Sequence, residues 1–347
     1  VVIVAWNSAD DLARTLPALA LELGPDDEVI IVDNGSSDDP SGVATRTLAS
    51  VRMILMGRNA GYAAAVNRGA ADARGDLLVI LNPDAKPEPG FGEAIRRPVT
   101  DGCGWAAWMA LVLCEEDGRR VVNSAGNPIH FTGFAWAGSH GLPVDEPAPS
   151  GEVPTMSGAC LAIPRAGWRR VGGFPDRFFL YQEDTDLSVR LRLAGGTIGL
   201  VGDAVVDHDY DPAFRSRKFF WLERNRLAMI VRTYPAALLL PVAPVLMLTE
   251  VAILAAASRG GWLRSKLAAD FAFLRWLPRL LRERRRIQAS RRISADRLAG
   301  IMTADLDSPY FPAFVRTGPV RLLLRSYWGL VRLLLRLPGR SGGSGSR

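Results

Sequence analysis

Short apolar runs alternate with helical patterns through the first 85 residues, and this alternation most constrains what the chain can fold into. Residues 1–5, 28–32, 51–55 and 76–81 read as strands. Residues 10–23, with Ser8 as a good start, and residues 60–73 read as helices. Near-continuous apolar strands bury both faces, and helices between them supply crossovers, so the pattern predicts a mostly parallel sheet in an α/β domain. Ligands of such sheets bind beyond the carboxyl ends of the strands. Polar residues collect there: Trp6-Asn7 after the first strand, Asp33-Asn34-Gly35-Ser36-Ser37-Asp38 after the second, Asn82-Pro83-Asp84 after the strand at 76–81. Any one of these turns is ordinary, because Asn, Asp and Gly are common turn formers. Three on one edge mark a candidate site. The chain carries no Gly-x-Gly-x-x-Gly and no Gly-x-x-x-x-Gly-Lys, which argues against dinucleotide and P-loop sites.

A chain of 347 residues with 48% apolar content can bury a real core, and its length predicts one sizeable domain plus an appendage, or two domains. Three cysteines, Cys103, Cys114 and Cys160, suggest a reducing compartment, no disulfide framework and no zinc site. The net charge of +6 hides an asymmetry. Residues 1–258 hold 23 Lys and Arg against 31 Asp and Glu, a net of −8, and residues 259–347 hold 19 against 5, a net of +14. A basic C-terminal part suits nucleic acid or an anionic membrane surface. Few aromatics interleave with the Arg-rich run 282–297 and no nucleic-acid module is visible, so no nucleic-acid partner is expected.

Residues 105–113 read as a strand, 123–141 as loops or hairpins, 142–154 as a Pro-rich loop, and 157–163 as a strand returning to the core. Residues 234–258 are nearly all apolar, with Pro235, Pro241, Pro244 and a single acid, Glu250. The run is long enough to span a bilayer, but one crossing would put the basic tail outside. A helix pair in or on the cytoplasmic membrane face is the favoured expectation, a buried helical hairpin the alternative. In residues 319–338, Arg321, Arg325, Arg332 and Arg336 share one helical stripe amid leucines, which fits a membrane-surface helix or a core-packed helix with one solvated face. Residues 341–347, rich in Gly and Ser, read as a flexible tail.

The segment Phe178-Phe179-Leu180-Tyr181-Gln182-Glu183-Asp184-Thr185-Asp186-Leu187 sets three carboxylates behind an aromatic run and ahead of a helical pattern that Gly195-Gly196 stop. Asp184 projects on the side of Leu187 and Leu191, and a carboxylate there needs a partner or a task. It is a candidate catalytic base. The alternative is that these acids cap a helix start and complement its dipole, with Asp186 pairing to Arg190.

Taken together, Ile31–Asp38, Arg58-Asn59-Ala60-Gly61-Tyr62-Ala63-Ala64-Ala65-Val66-Asn67-Arg68-Gly69, Leu81–Asp84, Ser157-Gly158-Ala159, Val171-Gly172-Gly173-Phe174 and Phe178–Asp186 resemble the family 2 glycosyltransferases of the GT-A fold, in their rhamnosyltransferase-like branch. The resemblance covers roughly residues 1–235. It implies a Rossmann-like GT-A catalytic domain at 1–215, a helical, membrane-associating region at 216–340 and the tail at 341–347. It implies that Asp33 accepts the N3–H of a pyrimidine nucleotide, that Trp6 and Asn7 flank the base, and that Asn59, Gly61 and Asn67 shape the nucleotide pocket. Asn82 and Asp84 stand where the family carries its Asp-x-Asp metal motif, with Asn82 replacing the first aspartate. A divalent cation, Mg²⁺ or Mn²⁺, would then rest mainly on Asp84, diphosphate oxygens and water, with His208 as a further ligand. Asp184 matches the family's base. Ser157, Gly158, Glu183, Arg215 and Arg217 fall on the acceptor side, where a basic loop of Arg215, Arg217, Lys218 and Arg224 would hold a lipid-linked diphosphate.

The resemblance therefore implies an inverting, metal-dependent transfer of a sugar, L-rhamnose from dTDP-rhamnose first, onto a glycan or polyprenyl-diphosphate-linked acceptor. The setting implied is cell-envelope polysaccharide synthesis on the cytoplasmic face of the plasma membrane, peripheral or shallowly inserted, and a homo-oligomer is compatible with it. The alternatives are another donor, a UDP-hexose or UDP-galactofuranose, and a catalytically silent GT-A membrane scaffold. A sugar nucleotidyltransferase would need a Gly-rich basic loop near the first strand, and residues 1–11 hold none.

Overall fold

Runs of β-branched and leucine residues that bury every side chain build the centre of the sheet: Val2–Ala5 (β1) is buried throughout, as are four residues each of Val29–Asp33 (β2) and Leu77–Leu81 (β4). Between them lie Ala9–Glu22 (α1), Pro40–Thr47 (α2), Val51–Leu55 (β3) and Tyr62–Asp72 (α3). The chain continues through Ala85–Pro87 (β5), Phe91–Thr100 (α4), Ala107–Glu116 (β6), Arg119–Ser124 (β7), Ile129–His130 (β8), Gly151–Glu152 (β9), Cys160–Pro164 (β10), Arg165–Val171 (α5), Glu183–Leu193 (α6) and Ile198–His208 (β11). The last part comprises Arg215–Thr233 (α7), Ala236–Arg259 (α8), Leu263–Ala289 (α9), Ala295–Ala299 (α10), Met302–Thr303 (β12) and Gly318–Arg336 (α11). This computed structural model describes residues 1–144, 148–209, 215–309 and 311–337, without the side chains of 215–217; the tail expected at 341–347 lies outside the described residues.

The main sheet runs β3-β2-β1-β4-β10-β6-β11-β5. β3, β2, β1 and β4 are parallel; β10 runs against both β4 and β6; β11 is parallel to β6; and β5 returns antiparallel at the edge. α3 packs closely on β1 and β2 because Gly69 has no Cβ: one would stand 2.5 Å from Val2 Cγ1 and 3.0 Å from Val32 Cγ2. A second core joins Ile129, Phe131, Phe178 and Leu193 to α7, α8, α9 and α11, and β12 pairs with β8. The helical region is thus bolted to the sheet domain through shared packing.

Residues 234–258 do not form a helix pair. α8 is one helix of 24 residues that runs through Pro241 and Pro244. Each proline removes one backbone donor. Leu238 and Val242, both buried, pin the helix on either side of Pro241, and the Tyr327 hydroxyl donates to the Pro241 carbonyl. Nor is it a buried hairpin: its most apolar stretch is only 11% buried. Its one acid, Glu250, joins Arg226 and Lys266, and with Glu223 and Asp270 they form an ion network that ties α8 to α7 and α9.

The arginine stripe of α11 also departs from expectation. Arg325 pairs with Asp305 at 2.7 Å and Arg336 with Asp296 at 3.2 Å, while Arg321 and Arg332 approach the same carboxylates at 3.6 Å. The stripe therefore meets the protein's own acids. Leu322 and Leu323, 67% and 69% exposed, face outward with Leu330, Leu333 and Leu334.

Candidate active site

The carboxyl ends of β1, β2 and β4 lie side by side, and the turns that follow them are stitched together. Asn7, held at φ 53°, accepts from the Ser37 N–H at 2.7 Å, and its own N–H donates to Ser36 Oγ at 3.1 Å. Asp33 Oδ1 accepts the Ser36 N–H at 2.8 Å. Trp6 stands at the rim, 39% exposed. Asn34, buried and not singled out from the sequence, accepts the Ala60 N–H at 2.9 Å and donates to Asn59 Oδ1 at 3.1 Å. Asn59 Oδ1 also accepts the Gly61 N–H, so two asparagines shape the turn into α3. Only the Asp-Asn-Gly-Ser-Ser run hinted at Asn34, because its partners lie 25 residues on.

Two expected pocket residues have close neighbours within the protein. The amide of Asn67 binds the carbonyl and N–H of Phe174 and the Asp176 carboxylate, fastening α3 to the Gly-Gly-Phe turn. Gly61, at φ 92°, does allow a close approach, but the neighbour is Phe179, whose Cδ2 would lie 2.5 Å from an added Cβ.

β10 runs against β4, so its start meets the end of β4: Cys160 pairs with Leu81, and the Asn82 N–H donates to Ala159 O at 2.9 Å. Ser157-Gly158-Ala159 therefore lies against Asn82-Pro83-Asp84. The Tyr62 hydroxyl joins the two turns, 3.0 Å from Asn82 Oδ1 and 3.3 Å from Gly158 O. Burial, followed by the charges of Glu183, Asp184 and Asp84, holds that hydroxyl well above its ordinary pKa, so it remains a proton donor. Beyond Gly158 the chain of contacts reaches Asp184: the Gly158 N–H donates to Asp184 Oδ2 at 2.9 Å, and Thr185 N–H to Oδ1 at 2.6 Å. Tyr62 sits inside the recognised motif, yet no local pattern revealed that it bridges to Gly158.

Asp184 is partly exposed at the first turn of α6. Burial raises its pKa, against the pull of the Thr185 and Gly158 N–H groups. Glu183, 6% exposed, is pushed up to about 8 by burial and then by the neighbouring Asp184 charge. Asp186 is structural, as its spacing suggested. Fully buried, it accepts from Arg190 at 2.6 Å and from Arg232 of α7 at 2.7 Å.

Antiparallel pairing of β11 with β5 sets His208 opposite Ala85, and its Nε2 lies 3.2 Å from Asp84 Oδ1. That carboxylate oxygen is buried and accepts no hydrogen bond. Burial and then the Asp84 charge raise the pKa of nearby Asp11. Two atoms bound cis to an octahedral cation at about 2.1 Å would be about 3 Å apart, so this pair fits one hard divalent cation. No cluster of three or more His, Cys, Asp or Glu stands ready among the described residues, so a cation held by this pair would take its remaining ligands from outside such a cluster, as diphosphate oxygens and water can supply. The basic loop expected at 215–224 is instead the first half of α7. The side chains of Arg215 and Arg217 lie outside the described residues, Lys218 lies over the Tyr181 ring, and Arg224 binds the carbonyls of Arg177 and Phe178.

Comparison with known proteins bears on the family and the fold. The sequence model described as Glycosyl transferase family 2 matches residues 1–131. The N-acetylglucosaminyl-diphospho-decaprenol L-rhamnosyltransferase of Mycobacterium tuberculosis (strain CDC 1551 / Oshkosh) is 30% identical over 236 residues, 60% of this chain and 75% of that protein. The succinoglycan biosynthesis protein ExoO of Rhizobium meliloti (strain 1021) is 36% identical over 124 residues, 35% of each chain. Among solved structures, GalNAc-T7, crystallised with UDP, GalNAc and Mn²⁺, superposes with a TM-score of 0.54 at 17% identity, over 68% of this chain and 48% of that one, a likeness of fold. The chain belongs to glycosyl transferase family 2 and has the GT-A fold.

Proposed function

We propose that the chain transfers a sugar, L-rhamnose from dTDP-rhamnose, to a polyprenyl-diphosphate-linked acceptor with inversion at C1. The observation that carries the mechanism is the run of contacts from Asn82 through Tyr62 and Gly158 to Asp184, which ties the diphosphate turn to the base. The donor and acceptor rest on the similarity to the mycobacterial rhamnosyltransferase. Asp33 and Asn7 hold the nucleotide end, with Trp6 at the rim. Asp84 and His208 would hold a Mg²⁺ or Mn²⁺, which when bound neutralises charge developing on the leaving diphosphate. Asp184 takes the acceptor hydroxyl proton as that oxygen bonds to C1 and the C1–O bond to the nucleoside diphosphate breaks. A raised pKa makes Asp184 a stronger base than an ordinary aspartate. Ser157, Gly158 and Glu183 line the acceptor side.

Residues 1–215 act as the catalytic unit, and the helices from 216 onward seat it on the cytoplasmic membrane face. The outward leucines of α11 and the weakly buried α8 support shallow insertion, and the +14 charge of residues 259–347 suits anionic lipid. The test of donor class is thermal stability against nucleoside diphosphates with and without Mn²⁺, because a ligand that binds only the folded state raises Tm. Metal-dependent stabilisation by dTDP, weaker by UDP and absent with ADP or GDP, is expected. No response to any pyrimidine nucleotide would contradict the proposal.

A further inference from the structure

The loop that leads into α6 holds an improbable shape. Phe179, Tyr181 and Gln182 sit at φ 67°, 68° and 69°, and none is glycine. Gln182, at ψ 0°, is in the left-handed region, and Phe179, at ψ −62°, centres a γ-turn in which the Leu180 N–H donates to Phe178 O at 2.7 Å; positive φ is unfavourable for residues with a Cβ and persists only where the surroundings impose it. The next two residues are Glu183 and Asp184.

Asn225 of α7 lies against this loop. The residue is fully buried, and its Nδ2 lies 2.9 Å from Phe178 O, 2.9 Å from Leu180 O and 2.8 Å from Tyr181 O. One amide, with two N–H donors, thus lies within hydrogen-bond distance of three carbonyls that the positive-φ turns point to a single place. Arg224 closes the neighbouring position, donating to Arg177 O at 2.6 Å and Phe178 O at 3.0 Å. At the far side of the loop, Phe179 stacks on Trp221 of α7 at 4.6 Å, abuts Gly61, and accepts the Ala63 N–H at 3.3 Å. The loop is therefore a wedge between α7 and the turn that opens α3, and it carries Asp184 at its end.

We propose that Asn225 is a positioning residue for sugar transfer: it holds the 178–182 loop in its positive-φ form and so sets where Asp184 stands relative to the donor side. The inference rests on Asp184 being the base. The side-chain hydrogen bonds of Asn225 go to Arg224, Phe178, Leu180 and Tyr181 and not to Asp33 or Asn7, so its loss is expected to act on transfer and to leave nucleotide binding in place.

The test compares full-length wild type with Asn225→Ala, Asp184→Asn and the double variant Asn225→Ala/Gln182→Gly. UDP and dTDP binding is measured by calorimetry with Mn²⁺, and transfer from dTDP-rhamnose to N-acetylglucosaminyl-diphospho-decaprenol at saturating substrates. A displacement of about 1 Å at a reacting group costs on the order of a hundredfold in rate, and Asn225→Ala is expected to lose transfer on that scale while its nucleotide Kd stays within about twofold. Glycine at 182 adopts the left-handed turn without a Cβ, so the double variant is expected to regain part of the lost kcat. Should Asn225→Ala fail to fold, Asn225→Ser, whose hydroxyl serves one carbonyl, is expected to show an intermediate loss of kcat with nucleotide Kd unchanged. Wild-type kcat in Asn225→Ala or Asn225→Ser, beside an inactive Asp184→Asn, would overturn the inference alone. So would a parallel loss of nucleotide affinity and transfer without rescue by glycine, which marks a general folding role. Wild-type turnover in Asp184→Asn would overturn the base assignment and the inference with it.

Discussion

Tyr62→Phe removes a single oxygen from the middle of the proposed site. The ring stays, with its packing against Phe174 at 6.2 Å, and the hydroxyl bonds to Asn82 Oδ1 at 3.0 Å and Gly158 O at 3.3 Å are lost. Both acceptors are half-buried and share the one hydroxyl proton, so water replaces part of the lost bond and a loss of about 1 kcal/mol is expected. Over the unfolding entropy of a 347-residue chain that is a fall of about 1–2 °C in Tm, which differential scanning calorimetry resolves. Asn82 and Gly158 then lose their common side-chain tether, and only the backbone bond from Asn82 N–H to Ala159 O still holds the diphosphate turn to the turn that contacts the base. A misfit of about 1.4 kcal/mol in the transition state lowers kcat/KM about tenfold. Steady-state transfer, with donor and acceptor varied separately, reads this directly. A Tyr62→Phe enzyme with wild-type Tm and wild-type kcat/KM for both substrates would refute the claim that this hydroxyl couples the two turns.

Glu183 and Glu250 give two further tests. The Glu183 pKa is raised from 4.5 to about 8, so between those values the folded chain holds a proton that the unfolded chain releases, and this contribution to stability is lost as pH rises through that window. Glu183→Gln is expected to melt close to wild type at pH 5 and above it at pH 8; equal melting at both values would show that Glu183 does not titrate there. Glu250→Ala takes one half-buried partner from the buried Arg226 and Lys266, which keep Glu223, and a destabilisation of about 2 kcal/mol is expected by urea unfolding. An unchanged urea midpoint would show that the network does not anchor α8.

What the sequence revealed and what it hid divide along a physical line. Strands and helices of the first 85 residues were readable because each declares itself by its own periodicity, and the carboxyl-edge turns followed from strand direction. α2 escaped notice because Pro40–Thr47 has only two buried residues, and β11 because Gly199 and Gly202 interrupt its apolar run. The Asp186–Arg190 pair was visible at four residues' spacing, whereas Arg232, 46 residues on, was not. The partners of Asn67 were hidden for the same reason, since they lie more than 100 residues away. In α11 the helical wheel correctly grouped four arginines, but a wheel states which residues share a face and not what that face meets. Asp296 and Asp305 supplied the answer. The prolines of α8 suggested a break that tertiary packing overrides.

The measurement that bears most directly on the proposed chemistry is single-turnover transfer by Asp184→Asn, with nucleotide affinity taken on the same preparation. Asparagine keeps the size of the side chain and cannot accept the acceptor's proton. Retained dTDP binding with transfer reduced by at least about a thousandfold is expected, within the range that general-base catalysis contributes. Transfer near the wild-type rate would contradict the assignment of Asp184 and require another group to take the proton.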